Sequence, residues 1–456
     1  MPVPRIRRGA VGVFVYVVLL LVVAGSAISA SSKAAQLNVG WRATVAKLPA
    51  NATTSIHQWV NLVAISCGSP GNCSAVGTYV DGKLDQEGLL LTEKGGVWAK
   101  GVEAVLPADA YPPVEGRSVN LTSISCPSAG NCTAVGYYYN YGYSGLLLTE
   151  KNGHWLPGVG VDALLRSVSC VSAGNCTAGG DNGVLVTETA GQLAPPVVVP
   201  VSGGNYNYIT SVSCGSAGSC SAVGSTFIWD GRDSYAGYGF LLTNDGGTWH
   251  QVPVVMPPDG AGEGAYLTAV SCASAGSCSA VGQYHVSIDS SSTPEGVLLT
   301  EKAGTWRQGM TAQPPTANSY WRDIDLRDVS CTSKNDCLAV GDYYNGNGPH
   351  ATLVTETAGK WQRGVKAALP GGGPLSYANA VSCASPGNCT VVGTYGGDGS
   401  DNGLLVTETR GHWLRGIKAK LGAVPVSVSC AAPGRCGAVG GDGYGDGILL
   451  DSYIKP

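Results

Sequence analysis

Ser167-Val-Ser-Cys170-Val-Ser-Ala-Gly-Asn-Cys176-Thr-Ala178 decides the fold, because the chain repeats this stretch eight times. The copies place cysteines in pairs: Cys67/Cys73, Cys126/Cys132, Cys170/Cys176, Cys214/Cys220, Cys272/Cys278, Cys331/Cys337, Cys383/Cys389 and Cys430/Cys436. Five residues separate the members of each pair, and the pairs account for all 16 cysteines. Successive copies begin roughly 44 to 59 residues apart. That period marks one supersecondary unit of a solenoid or a propeller, so the 456 residues read as one array rather than several ordinary domains.

Composition narrows the fold further. Glycine is abundant (67 residues), while Phe and Met number three each. This balance suits short strands and tight turns, and no segment after the first thirty residues shows a capped helical period. Charged residues make up 13% of the chain and the net charge is −4, which leaves no basic field for nucleic acid.

The first thirty residues read as an export signal or an N-terminal membrane anchor. Arg5, Arg7 and Arg8 precede an apolar run from Val11 to Val23, and small residues follow from Ala24 to Ala30. Cleavage after Ala27 or Ala30 would release the chain. An uncleaved run stretched to about 18 residues would just span a bilayer. Both alternatives place the repeats outside the cytoplasm, where paired cysteines form disulfides. Residues 31–39 read as a linker and 40–456 as the repeat array.

Within a unit, Leu121-Thr-Ser-Ile-Ser125 reads as a first strand, A. The turn from Cys126 to Cys132 contains Gly130 and Asn131, two residues that adopt positive φ at low cost. Thr133-Ala-Val-Gly-Tyr137 reads as strand B and Gly145-Leu-Leu-Leu-Thr-Glu150 as strand C. After Lys151-Asn-Gly153, His154-Trp155 opens strand D. Four short antiparallel strands repeated around a ring make a β-propeller. A disulfide across the A–B hairpin restrains the unfolded chain by about 2 kcal/mol. Two thiols per unit with no recurring histidine do not make a zinc site, and C-x-x-C redox spacing is absent.

The C–D turn carries a second signature: Leu91-Thr-Glu-Lys-Gly-Gly-Val-Trp98, Leu299-Thr-Glu-Lys-Ala-Gly-Thr-Trp306 and Val406-Thr-Glu-Thr-Arg-Gly-His-Trp413. These turns resemble the Asp-box (BNR-type) propeller repeats, which set an Asp-Gly-rich turn before a Trp between strands C and D. Only Thr243-Asn-Asp245-Gly-Gly-Thr-Trp249 keeps an aspartate, one residue short of the usual box. The resemblance implies an all-β propeller whose Trp residues are structural.

The ends of the array complement each other. The last unit, from Ser427, stops after Gly447-Ile-Leu-Leu450 without a Trp strand, while Gly40-Trp41-Arg-Ala-Thr-Val-Ala-Lys-Leu48-Pro49 stands alone before the first. The N-terminal segment is therefore expected to supply strand D of the last blade and to close a single eight-bladed ring of four-stranded antiparallel blades. The third unit is the weakest, with Leu193 in the Trp position and a very short B–C link. Without it the ring would have seven blades.

Function is expected at the end that carries the B–C loops and the D-to-A connections, where length and composition vary. Tyrosines gather there, in Tyr137-Tyr-Tyr-Asn-Tyr141-Gly-Tyr143, Asn205-Tyr-Asn-Tyr208, Phe227-Ile-Trp229-Asp230-Gly-Arg232-Asp233-Ser-Tyr235 and Ser319-Tyr320-Trp321-Arg322-Asp323. Aromatic faces with polar tips suit a glycan or a protein of the cell envelope, or else simply pack the loops. The candidate contacts are Tyr138, Tyr141, Tyr143, Trp229, Asp230, Arg232, Tyr320, Trp321 and Asp323.

The resemblance also admits a sialidase-like or other glycoside hydrolase, because sialidases share Asp-box propellers. Such chemistry needs an arginine cluster, and Lys100, Arg363 and Arg415 recur two residues after their own Trp, as solvated scaffold positions would. Asp323 with Asp230 or Asp233 is the available carboxylate pair. The histidines are scattered, with His57, His285 and His350 read as loop residues, and no H-E-x-x-H site exists. The acid-rich loops Asp81-Gly-Lys-Leu-Asp85-Gln-Glu87 and Asp442-Gly-Tyr-Gly-Asp446 lack the ligand spacing of a calcium loop and read as solvated turns. Four sequon asparagines (Asn72, Asn131, Asn175, Asn388) occupy the A–B turn, where turn geometry explains their recurrence. The expectation is thus an extracytoplasmic, non-catalytic, monomeric propeller with no cofactor and no metal.

Overall fold

The computed structural model describes residues 37–54, 59–110, 118–139, 141–229, 234–260, 265–288, 291–316, 323–371, 373–397 and 400–455. Within this span the chain forms eight antiparallel sheets, one per repeat. Blade 1 runs through strands Asn61–Ser69, Asn72–Val80 and Gln86–Lys94. Its outer strand comes in two pieces, Val97–Trp98 and Val102–Glu103, both paired with the third strand. The third repeat forms a complete blade as well, with strands Leu165–Ser172, Asn175–Gly180 and Val184–Thr189 and an outer edge of Gln192–Leu193 and Val197–Val198.

Blade 8 is closed from the N-terminal side. Val39–Val45 pairs antiparallel with Gly447–Ile454, with Trp41 opposite Ser452. The isolated Trp segment is therefore the eighth outer strand, and the ring has eight blades. Both of its edges meet their partners, which removes the exposed hydrogen-bonding groups that an open array would carry.

Each A strand packs on the A strands of both neighbouring blades, so the A strands form the innermost layer. This arrangement explains the Ser-x-Ser-Cys repeat. The Cys214 N–H donates to Ser169 Oγ of the preceding blade, and Cys67 N–H donates to Ser429 Oγ across the closure. The same bond recurs at Cys126, Cys170, Cys272, Cys331, Cys383 and Cys430, completing a circuit of eight. The earlier Ser repeats the pattern at several joints, as where Val212 N–H donates to Ser167 Oγ. Backbone N–H groups that no strand can reach are satisfied by these hydroxyls.

Strands B and C lie between two neighbouring blades and are buried on both faces, which is why Leu89-Leu90-Leu91 reads as an unbroken apolar run. The core is accordingly divided into interblade layers. Val76 and Leu90 of blade 1, for example, pack against Leu121, Ile124 and Leu146 of blade 2. Trp41 and Trp98 are buried in such layers, and Trp155, Trp249, Trp306, Trp361 and Trp413 pack against them. Strand B carries a glycine at position 136 because a Cβ there would stand 2.0 Å from the Asn120 carbonyl oxygen, beside a bulge in strand A.

All eight cysteine pairs are disulfides: Cys67–Cys73, Cys126–Cys132, Cys170–Cys176, Cys214–Cys220, Cys272–Cys278, Cys331–Cys337, Cys383–Cys389 and Cys430–Cys436, with S–S distances of 2.02 to 2.07 Å. Eight such bonds point to an oxidising, extracytoplasmic environment.

The structure bears out these pairs as staples across the A–B hairpins and gives them a second role. The second cysteine of every pair is core: Cys73, Cys132, Cys176, Cys220, Cys278, Cys337, Cys389 and Cys436 are all buried. The cause is position, since each is the second residue of a B strand that neighbouring blades cover on both faces. Their sulfurs meet hydroxyls of the preceding blade. Thr177 Oγ1 lies 3.7 Å from Cys220 Sγ, Ser221 Oγ 3.6 Å from Cys278, Ser279 Oγ 3.4 Å from Cys337 and Thr390 Oγ1 3.3 Å from Cys436. Cys73 and Cys389 pack in the interblade layers beside Ile65 and Val381. The disulfides therefore fill the joints between blades as well as closing the hairpins.

Gly130 takes positive φ in the A–B turn as expected, but Asn131 does not. Instead, Asn131 Nδ2 donates to Ser128 Oγ and the Ala129 carbonyl, while its Oδ1 accepts the Asn152 N–H. The turn Asn thus ties the A–B turn to the C–D turn, and Asn72, Asn175 and Asn388 do the same. The export or anchor segment lies outside the described residues. Among the described residues, no helix is long and apolar enough to cross a membrane.

Candidate binding face

The B–C loops and the D-to-A connections share one end of the ring, and the strand termini feeding them carry an arc of aromatic side chains over blades 2 to 5. It begins at Tyr143, whose ring meets Tyr137 edge-on at 5.4 Å and Tyr139 at 5.6 Å. Tyr137 is close enough to Arg166 of blade 3 to help raise the guanidinium's pKa, after the larger effect of a hydrogen bond to Asp181. Arg166 pairs bidentately with Asp181 and lies 4.9 Å over the Tyr208 ring of blade 4.

From Tyr208 the contacts continue to Phe227 at 5.6 Å, from Phe227 to Tyr266 at 6.3 Å, and from Tyr266 to His285 at 6.4 Å. Tyr208, Phe227, Tyr266 and His285 are half-buried, whereas Tyr139, Tyr141 and Tyr143 are exposed, Tyr141 by 83%. A graded surface of this kind offers apolar area with polar tips.

A second cluster joins blades 6 and 7. Arg327 donates to Asp325 (3.3 Å) and to Asn379 (3.3 Å), pairs with Asp342 (2.8 Å), and sits 5.3 Å over the Tyr377 ring. Burial pushes the Asp342 carboxyl up to about 6, Arg327 opposes that rise and Asp325 adds to it.

Of the residues expected to contact a ligand, Tyr141 and Tyr143 lie exposed on this end. Tyr138 is fully buried, and its hydroxyl donates to Asp109, so its side chain faces the core of blade 2 instead. The reason is strand alternation: Tyr137 and Tyr139 point one way and Tyr138 the other. Trp229 closes strand Ser219–Trp229, while Asp230, Arg232, Tyr320 and Trp321 fall outside the described residues. Asp323 is half-buried; its Oδ1 has no hydrogen-bond partner, and burial raises its pKa.

Arg166, Tyr266 and His285 were not among the expected contacts. His285 and His350 lie on strands Ser277–Ile288 and Pro349–Thr357 rather than in loops. His350 is buried against Tyr343, 5.5 Å between ring centres, and burial lowers its pKa. Arg363 and Arg415 are exposed, as expected of solvated positions, and each also donates to a carbonyl of the blade before, Arg363 Nη1 to Pro314 and Arg415 Nε to Leu369.

Asp81, Asp85 and Glu87 are likewise buried, in contrast to a solvated turn, and their carboxylate oxygens lie within 4.8 Å of one another. This is the group among the described residues that could hold a hard cation. One oxygen of Asp81 already accepts the Lys83 and Asp85 N–H groups.

No protein-family profile and no curated protein matches the chain. Its fold resembles that of solved propellers. Sqt1 of Chaetomium thermophilum, bound to the N-terminus of ribosomal protein L10, superposes with a TM-score of 0.52 at 10% identity, over 89% of this chain and 100% of that one. YCF48 from Cyanidioschyzon merolae gives a TM-score of 0.45 at 12% identity, over 74% and 96% of the two chains. At these identities the likeness concerns the fold, an all-β propeller.

Proposed function

We propose that the protein is an exported, non-catalytic binding module that holds an envelope protein against the aromatic arc of blades 2 to 5. The path from Arg166 through Tyr208, Phe227 and Tyr266 to His285, with the Tyr137–Tyr143 cluster on the neighbouring blade, carries this reading, because Tyr and Arg set in partly buried positions are the side chains that concentrate binding energy at protein interfaces. Sqt1 has a polypeptide bound on the same fold. Tyr139, Tyr141 and Tyr143 stand clear of the core and support a glycan as the second reading. We further propose that the C–D turns are degenerate Asp-box repeats, a reading supported by Asn244 Oδ1, which caps its turn by accepting the Gly247 N–H.

A glycoside hydrolase is the less favoured alternative, since Arg363 and Arg415 are committed to backbone carbonyls and Arg166 and Arg327 to carboxylates. The test is a binding array of envelope proteins and envelope polysaccharides probed with the full chain, with product analysis of every hit. Tyr208→Ala with Tyr266→Ala is expected to weaken retention of a protein at least tenfold while the melting temperature changes little. Retention unaffected by the pair overturns the assignment of the arc. Intact glycan on the array favours the second reading, and released sugar establishes the hydrolase.

A further inference from the structure

The Trp of strand D serves as a peg between blades. Trp155 Nε1 of blade 2 donates to Thr92 Oγ1 of blade 1 (3.3 Å), Trp306 to Thr243 (3.2 Å) and Trp361 to Thr300 (3.0 Å). Trp98 reaches Asp451, which holds the equivalent place in blade 8, at 3.1 Å. Each of these indoles thus seats in the joint with the preceding blade, its N–H on the side chain that follows the Leu run of strand C.

At the joint of blades 2 and 3 the peg is missing. Leu193 pairs with Glu188 across the outer strands just as Trp155 pairs with Glu150 and Trp361 with Glu356. Leucine is shorter and has no N–H to give. A cleft of about 380 Å³ opens there, lined by Leu147, Thr149, Leu156, Val159, Glu188 and Leu193 among others. Thr149 occupies in blade 2 the place that Thr92 occupies in blade 1. Glu188 is buried and its Oε2 has no hydrogen-bond partner. Clefts also open at the joints of blades 6/7 and 8/1, but those already contain their own indoles, Trp413 and Trp98.

We propose that the cleft between blades 2 and 3 is a docking pocket for the tryptophan side chain of a partner polypeptide, which supplies the indole that blade 3 lacks. An apolar cavity of about 150 Å³ already accepts a benzene ring, so the space is sufficient. Two acceptors, Thr149 Oγ1 and Glu188 Oε2, stand beside the apolar Leu147, Leu156, Val159 and Leu193, in a lining that also includes Asn131, Thr133, Glu150 and Lys151, and they favour an aromatic ring with an N–H over a plain hydrocarbon. The rim selects a polypeptide over free indole. Leu156, Val159 and Leu193 are 43%, 48% and 37% exposed, and the neighbouring edge residues Val197 and Val198 are 51% and 63% exposed. A lone ring leaves that apolar margin in water, whereas flanking peptide residues cover it. The site lies among the uniform turns, at the end of the ring opposite the aromatic arc.

The experiment titrates the full chain with acetyl-Ala-Val-Trp-Val-Ala-amide by calorimetry, beside the same peptide with alanine for tryptophan, and beside free indole. The tryptophan peptide is expected to bind saturably and the alanine peptide not at all. Leu193→Trp refills the slot from within, so it should weaken peptide binding at least about tenfold with an unchanged or raised melting temperature. Thr149→Val, which keeps shape and loses the acceptor, should weaken binding severalfold and gives the answer if Leu193→Trp misfolds. Peptide binding that survives both substitutions, binding of free indole without the peptide, or no binding of either overturns the proposal.

Discussion

Buried carboxylates at the C–D turns make this propeller's stability depend on pH in an unusual direction. Glu93, Glu301 and Glu408 occupy one position in blades 1, 5 and 7, and all three are buried. Burial raises each from 4.5 to about 7, with Asp451 adding to the rise at Glu93 and Asp245 at Glu301, while burial is the whole cause at Glu408. Between pH 4.5 and about 7 the native chain holds protons that the unfolded chain has released, so stability falls as pH rises through that window. A shift of this size corresponds to roughly 3 kcal/mol per carboxylate once it is complete.

Glu408→Gln removes one such group without changing its shape. In urea unfolding of the non-reduced protein, the gap between variant and parent should open by roughly 2 kcal/mol from pH 5 to pH 8, the variant gaining. The parent itself should be more stable at pH 5 than at pH 8. Parallel pH profiles for the two proteins, or a parent whose stability climbs with pH across this window, would refute the reasoning.

Two further outcomes follow from the architecture. Replacing Cys170 and Cys176 together by Ala should cost at least about 2 kcal/mol, read from the urea midpoint, because a short loop loses its covalent closure in the unfolded chain and the buried Cys176 sulfur leaves the interblade layer. An unchanged midpoint would show that the staple does not restrain that chain. Deleting residues 1–45 removes the strand opposite Gly447–Ile454 and bares its edge, so size-exclusion chromatography should show association or aggregation. A monomeric, fully cooperative product would mean the closure is dispensable.

Repetition explains how much of this protein could be read in its sequence. Eight copies of one cysteine hairpin fixed the blade count, the disulfide partners and the strands, because each depends on residues within one unit. Even the closure was legible, since Gly40-Trp41 lacked its own unit and the last unit lacked its Trp. The doubtful third unit forms a blade because strand pairing needs only its backbone, and Leu193 still pairs opposite Glu188.

What passes between blades was decided by tertiary structure. The recurring serines look like ordinary strand residues until the neighbouring A strand presents its Cys N–H to them. Cys220 and Cys278 look like turn staples alone until the preceding blade covers their sulfurs. Asp81, Asp85 and Glu87 look like a solvated turn until packing buries them. Tyr138 looks like its neighbours until alternation turns it inward. Arg166 meets Tyr208, and Phe227 meets Tyr266, only because one blade is set against the next. The sequence by itself determined the unit and the number of units, since those are local; the rotation from one blade to the next chose which side chains meet, and with them the arc, the buried carboxylates and the empty slot at Leu193.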